Sequence, residues 1–184
     1  MGFEHIDHVQ RDTMLSSPPH GNTTFPPGTW VLDPNASVIE ISTRILGFHP
    51  VYIGIKLREG VADVDSTGII RRLAISLLSE TAHSGNACRD GHLRGPGYLD
   101  TRTWPLIDFV GSAKGNVIDG LIGIKGHRAG LRVEATEASL REDGSASLAA
   151  HGSVDRRLIG LGIKSLWCIG YDVTFTLKGT AHRI

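Results

Sequence analysis

The chain has 184 residues, and its 19 Lys or Arg balance 19 Asp or Glu at a formal charge of zero. That length suits one domain, or one domain with a tail, and its core is large enough to be stable without disulfide staples. The neutral balance lacks the basic excess of a nucleic-acid partner, and no run approaches the about 18 apolar residues of a membrane span, so neither nucleic-acid binding nor stable membrane insertion is expected.

Residues 1–28 are polar and broken by Pro18-Pro19-His20-Gly21-Asn22 and Pro26-Pro27-Gly28. Such composition predicts a flexible N-terminal extension, leaving 29–184 as the domain. The first eight residues carry acids and no apolar stretch of the kind a signal peptide needs. A myristoylation signal would need Ser or Thr where Ile6 stands. A cytoplasmic location with Cys88 and Cys168 reduced is therefore expected.

From Trp30 onward the texture changes to short runs alternating apolar with polar, the period of a half-buried strand. Ile39, Ile41, Thr43 and Ile45 share a face, as do Val51, Ile53, Ile55 and Leu57, and then Leu73, Ile75 and Leu77. After a polar interruption come Ile107 with Phe109, the Ile118–Ile124 run, Leu131 with Val133 and Ala135, and Leu148 with Ala150, Gly152 and Val154. The last run is the most regular, with Ile169, Tyr171, Val173, Phe175 and Leu177 facing one way. Gly115-Asn116 and Glu142-Asp143-Gly144-Ser145 read as hairpin turns. About eight strands result and no long helical stripe appears. This is an all-β chain whose exposed edges are removed by closing into an eight-stranded antiparallel barrel.

The interruption, Ser84 to Arg94, is long, polar and non-alternating, and reads as a loop with one short helical turn between two strands. Within it, Arg89-Asp90-Gly91-His92 is the densest polar cluster. It is read either as a rim gripping a ligand head group, or as a structural device in which Asp90 accepts backbone N–H groups and Arg89 pins the loop. Arg156 shares the inward face of Val154. A buried arginine needs partners, and Asp90 and Asp100 are the expected ones. Trp104, before Pro105, is expected to plug one end of the barrel.

No metal, phosphate-loop or serine-hydrolase motif stands out. The paired His5 and His8 lie in the tail, and Gly160-Leu161-Gly162-Ile163-Lys164-Ser165 lacks the Gly-Lys-Ser/Thr ending of a phosphate loop. No cofactor is expected. An eight-stranded barrel is just wide enough to be packed shut or to hold one small ligand. The small inward residues Gly120, Ala135, Ala150 and Gly152 favour a hollow.

The order of several fragments resembles the YceI-like family. The matching residues begin at Trp30-Val31-Leu32-Asp33-Pro34 and continue through Ser84-Gly85-Asn86, Arg89-Asp90, His92-Leu93-Arg94, Tyr98-Leu99-Asp100 and Pro105. They end with Ile122-Gly123-Ile124-Lys125-Gly126, Gly152-Ser153-Val154-Asp155-Arg156 and the strand around Val173. Where members often carry His this chain has Ala36 and Ile45, and where they often carry Phe it has Ile41 and Ile55. The resemblance implies a lipocalin-like barrel that holds a long amphiphile, a polyisoprenoid or isoprenoid quinone, in an interior tunnel. Many such proteins are periplasmic.

On this basis the wall of the pocket is expected at Ile39, Ile41, Ile75, Phe109, Ile122, Val173 and Phe175, with Arg89, Asp90, His92 and Arg156 as its polar elements. The leading reading is non-catalytic binding or transport of an isoprenoid-like lipid. An alternative is an enzyme acting on an amphiphilic intermediate in the same pocket, with His92 and Asp90 as acid and base, which requires both side chains to reach it. A third is a packed barrel serving as an interaction module. A homodimer is compatible with the sequence.

Overall fold

The computed structural model describes residues 25–161 and 169–184. Residues 1–24 and 162–168 lie outside the described residues. With them go most of the N-terminal extension, His5, His8, Cys168 and the last four residues of the Gly160–Ser165 stretch. The alternating runs form β1 (Gly28–Leu32), β2 (Val38–Ile45), β3 (His49–Val64) and β4 (Ile70–His83). Helix α1 (Ala87–Arg94) follows, and then β5 (Leu106–Lys114), β6 (Val117–Ile124), β7 (His127–Leu140), β8 (Ala146–Asp155) and β9 (Asp172–Arg183).

All pairings are antiparallel. Each strand from β2 to β9 pairs with the next, and β9 returns to β2 through Ile39↔Leu177 and Ile41↔Phe175. β1 and β2 lie end to end between β3 and β9: Val31 opposes Val61 and Leu32 opposes Ala181, while Ile39 opposes Ile55. Nine stretches thus fill eight positions of a closed antiparallel barrel, the fold class read from the sequence. The hairpins at 115–116 and 141–145 turn through Gly115 and Gly144, both with positive φ, a region open to glycine.

Bulges set which side chains point inward. On β3 the buried positions run Val51, Ile55 and Leu57, then Gly60 and Val64, so the inward parity changes from odd to even. The change falls where the register with β4 shifts between Leu57 and Glu59. An extra residue in one strand flips every later side chain to the other face. β7 does the same between Ala135 and Glu137, which brings Ala138 inward.

The two ends of the barrel differ. One, here the helix end, carries the turn at 46–48, the β4–β5 connection at 84–105 with α1, the turn at 125–126 and the β8–β9 connection at 156–171. The far end carries the turns at 65–69, 115–116 and 141–145 and the start of β1. Phe25, inside the stretch read from sequence as extension, is buried at the far end with its ring edge-on to Trp30, centroids 5.6 Å apart. The Trp30 indole N–H donates to the Pro26 carbonyl at 3.0 Å.

The helix is longer than the single turn expected. Asn86 caps it, its side chain accepting the Arg89 N–H at 3.0 Å, and the Asp90 carboxylate in the first turn suits the positive end of the helix. Two differences from the sequence reading concern aromatics. β9 starts at Asp172, so Tyr171 is not an inward residue but lies exposed under the Arg157 guanidinium, 4.1 Å from its ring centre. Trp104 does not plug the barrel. It packs over Gly126 and is 41% exposed, and the buried apolar residues on the connections at this end are Leu99 and Ile159.

Candidate functional site

The barrel is not packed shut. A cavity of about 160 Å³ lies in its far half, bordered by side chains from β1 to β9 and by Phe25. The lining is mostly apolar, with Trp30 and Leu32 from β1, Leu73 and Leu77 from β4, Ile107 from β5 and Leu131 from β7 among its residues, and Asp108, Glu137 and Thr176 as its polar members. On β7 the lining runs from Leu131 to Ala138, which is about 23 Å of strand. At a strand tilt of about 40° that is roughly 17 Å along the axis, so the space is long and narrow.

Of the seven wall residues read from the sequence, Ile39, Ile75, Phe109, Ile122 and Phe175 border this cavity. Ile75, Phe109 and Ile122 are direct cross-strand neighbours over β4, β5 and β6. Ile41 and Val173 are buried but belong to the helix half. There Ile124, Ala129, Val154 and Ile159 are buried in the same hydrophobic core and do not border the cavity.

The small residues act in two ways. Ala135 and Ala150 line the cavity directly. Gly120 and Gly152 do not leave space; their neighbours take it. A Cβ on Gly120 would stand 2.6 Å from the Phe109 ring, and one on Gly152 would stand 3.1 Å from Leu131. Gly120 thereby lets the Phe109 ring lie flat against the wall instead of across the lumen.

None of the four polar residues proposed from sequence borders the cavity. All sit at the helix end. The Asp90 carboxylate accepts the backbone N–H of Ser84 at 2.8 Å and the Ser84 hydroxyl at 2.5 Å. The Ser84 hydroxyl holds the Asp90 carboxyl below the usual carboxylate range, its N–H and the charges of Arg94 and Arg89 add to this, and burial opposes it. Arg89 donates from Nε to the Ser84 hydroxyl at 2.7 Å and from Nη2 to the Ser84 carbonyl at 3.0 Å. The pair fastens the start of α1, the structural alternative named above. His92 is exposed. An acid–base pair acting on a cavity ligand would need Asp90 and His92 at the lining, and neither is there.

Arg156 is 4% exposed, as its inward face implied, and the hydrogen bonds of its guanidinium to the described residues go to backbone carbonyls rather than to Asp90 or Asp100. Its guanidinium donates to the carbonyls of Gly170 at 3.0 Å, Ile169 at 3.1 Å and Leu161. Asp90 is taken up by Ser84, and neither it nor Asp100 makes an ion pair among the described residues. A buried cation wrapped in carbonyls organises a loop. Here it closes the β8–β9 connection over the helix end.

The sequence reading missed Phe25 and Trp30 as cavity wall. Phe25 precedes the Pro-Pro-Gly break, so it reads as tail. The available signal was an isolated aromatic just ahead of the first strand's tryptophan, a spacing that lets one ring cover another.

The model of the YceI-like domain matches residues 30–181, most of the chain and all of the barrel from Trp30 to near the end of β9. The chain belongs to the YceI-like family. Its fold is similar to that of BcnA from Burkholderia cenocepacia, at 15% identity and a TM-score of 0.69, with 81% of this chain and 98% of BcnA covered. It is also similar to a polyisoprenoid-binding domain from Saccharophagus degradans implicated in plant cell wall breakdown, at 12% identity and a TM-score of 0.59, with 84% and 98% covered. The YceI protein of Campylobacter jejuni aligns at 15% identity and a TM-score of 0.51, over 66% of this chain and 78% of that one. No curated protein matches the chain.

Proposed function

We propose that this YceI-like barrel binds the hydrocarbon chain of a long amphiphilic lipid, of polyisoprenoid or isoprenoid-quinone type, in its far half, and carries it without chemical change. The observation that carries this reading is the elongated cavity, walled by apolar side chains from all around the barrel. The polyisoprenoid-binding domain that shares the fold supports the same class of ligand.

Energetics restrict how the ligand fits. A cavity of about 150 Å³ lined by Leu, Ile and Phe takes a guest of benzene size, so 160 Å³ holds about one five-carbon unit at rest. One unit contributes roughly 3–4 kcal/mol through burial. Micromolar binding needs about 8 kcal/mol net, after the costs of ordering ligand and side chains. Three or more units must therefore be covered, and the narrow space must widen to admit them. The larger inward side chains with room to turn are those only partly buried, Ile70, Ile75, Val133, Leu148, Phe175 and Leu177. The polar residues that border the cavity, Asp108, Glu137 and Thr176, are few, and Asp108 and Glu137 are exposed to solvent, so the head group stays at the rim and the interior selects mainly chain length and shape.

The test is native mass spectrometry of the purified protein incubated with prenols of increasing length. Occupancy should climb steeply with the first few units and then level off once the lined length is filled. Occupancy independent of chain length, or no uptake of any prenol or isoprenoid quinone, would refute the reading.

A further inference from the structure

The helix end carries a second surface, and it has no connection with the cavity lining. Four aromatic side chains stand exposed among the described residues: Phe48 at 64%, Tyr52 at 55%, Tyr171 at 52% and Trp104 at 41%. All four belong to this end, three on its connections and Tyr52 three residues into β3. Leu46 and Leu158 are exposed beside them. The connections that carry these groups are fastened to one another. Ile45 bridges to Ile169 and the Gly170 N–H donates to the Arg44 carbonyl at 2.7 Å, which seats the turn of Phe48 beside Tyr171. Gly160 lies against His127, and Trp104 lies against Gly126.

Charge follows the same division. Among the described residues the connections 46–48, 84–105, 125–126 and 156–171 carry five Lys or Arg that reach the surface, Arg89, Arg94, Arg102, Lys125 and Arg157, the last paired with Asp155, against Asp90 and Asp100; Arg156 is buried. The turns at the far end carry Arg141 against Asp65, Glu142 and Asp143, with Arg71 at the start of β4 ion-paired to Asp65. Of the two sets of connections, those at the helix end are thus the more basic.

We propose that the helix end is a docking surface for an anionic lipid bilayer. Exposed Trp, Tyr and Phe sit favourably at the head-group level of a membrane. Each nearby Lys or Arg adds attraction to an anionic leaflet, and neither contribution requires insertion. The positive charge argues against the other ready occupant of an apolar face, a second copy of the chain. A two-fold contact would set the same basic groups against each other. The proposal does not depend on what fills the cavity: it would hold for an empty barrel.

The experiment is flotation of the full chain with vesicles of phosphatidylcholine alone, and with vesicles in which roughly a quarter is phosphatidylglycerol. The protein should float with the anionic vesicles only, and less as salt is raised. Removing one exposed charge, by Arg128→Gln or Arg102→Gln, should weaken partition about fivefold. Phe48→Ser should reduce it at least as much. Leu121→Ser, an exposed apolar residue on the flank of β6, should leave it unchanged and so controls for general hydrophobicity. The proposal is overturned if the protein ignores anionic vesicles, if the helix-end variants float like the parent, or if sedimentation shows a dimer that Phe48→Ser dissolves.

Discussion

The two halves of the barrel are built from the same strands and the same alternation, yet among the described residues the cavity borders the far half and not the buried residues of the helix half. In the helix half, residues such as Ile41, Ile124, Val154 and Ile159 are buried together, and Arg156 ties Leu161 to Ile169 and Gly170. In the far half the turns are short, the inward positions include Ala135, Ala146 and Ala150, and the Phe109 ring is drawn against the wall by Gly120. The comparison teaches that apolar alternation specifies a barrel, while side-chain size along each strand and the length of the covering loops decide whether it is filled.

The comparison is sharpened most by deleting the same atoms in each half. Ile159→Ala, at a residue with no exposure, should cost about 4 kcal/mol in urea unfolding, the upper part of the range for buried deletions. Ile75→Ala, beside a space that already exists, should cost about 1–2 kcal/mol. Equal losses would erase the distinction. Next comes Arg156→Met, which leaves the carbonyls of Leu161, Ile169 and Gly170 without that donor. It should cost about 3 kcal/mol and raise protease cleavage within 156–171.

Filling the hollow half is the converse operation. Ala150→Leu adds volume where room exists, so its stability should stay within about 1 kcal/mol of the parent. Prenol binding should fall at least tenfold, because the added carbons occupy the site of about one ligand unit. A destabilised variant that still binds would contradict the mapped cavity.

The smallest effects are expected from acid. At the far end the hydroxyl of Thr67, together with the Ile69 N–H and Arg71, holds the Asp65 carboxyl well below the ordinary range. At the helix end Arg157 lowers Asp155 to about 2. A carboxylate whose folded pKa is depressed contributes stability that is whole above its unfolded pKa of about 4 and is lost as pH falls towards the folded value. Both ends should therefore weaken between about pH 4 and pH 2. Asp65→Asn should lower the urea midpoint at neutral pH and flatten the fall in that window; an unchanged acid profile would remove Asp65 from this role.

The barrel was legible because period-2 alternation and Gly-Asn or Asp-Gly turns act locally. Ile75, Phe109 and Ile122 could be assigned to one wall before their pairing was known. What escaped depends on contacts distant in sequence. The partners of Arg156 are carbonyls that only the folded β8–β9 connection brings together. Asp90 and Arg89 read equally well as a head-group rim or a cap until Ser84 was seen to bind both. The bulge on β3 conceals a parity change, so Gly60 and Val64 replace the odd-numbered pattern. Gly120 and Gly152 were read as empty volume because a sequence does not show which neighbouring side chain will lean into the gap.

Isoleucine methyl groups are spread through both halves, and this permits the most direct test of the site. Protein labelled at these methyls should be titrated with a prenol of several units, and contacts between ligand and methyl protons recorded by NMR. Contacts at Ile39, Ile75, Ile107, Ile118 and Ile122, with none at Ile41, Ile124 or Ile159, are the predicted result. Contacts confined to the helix half, or spread evenly over the outer surface, would contradict a lipid chain held in the far half.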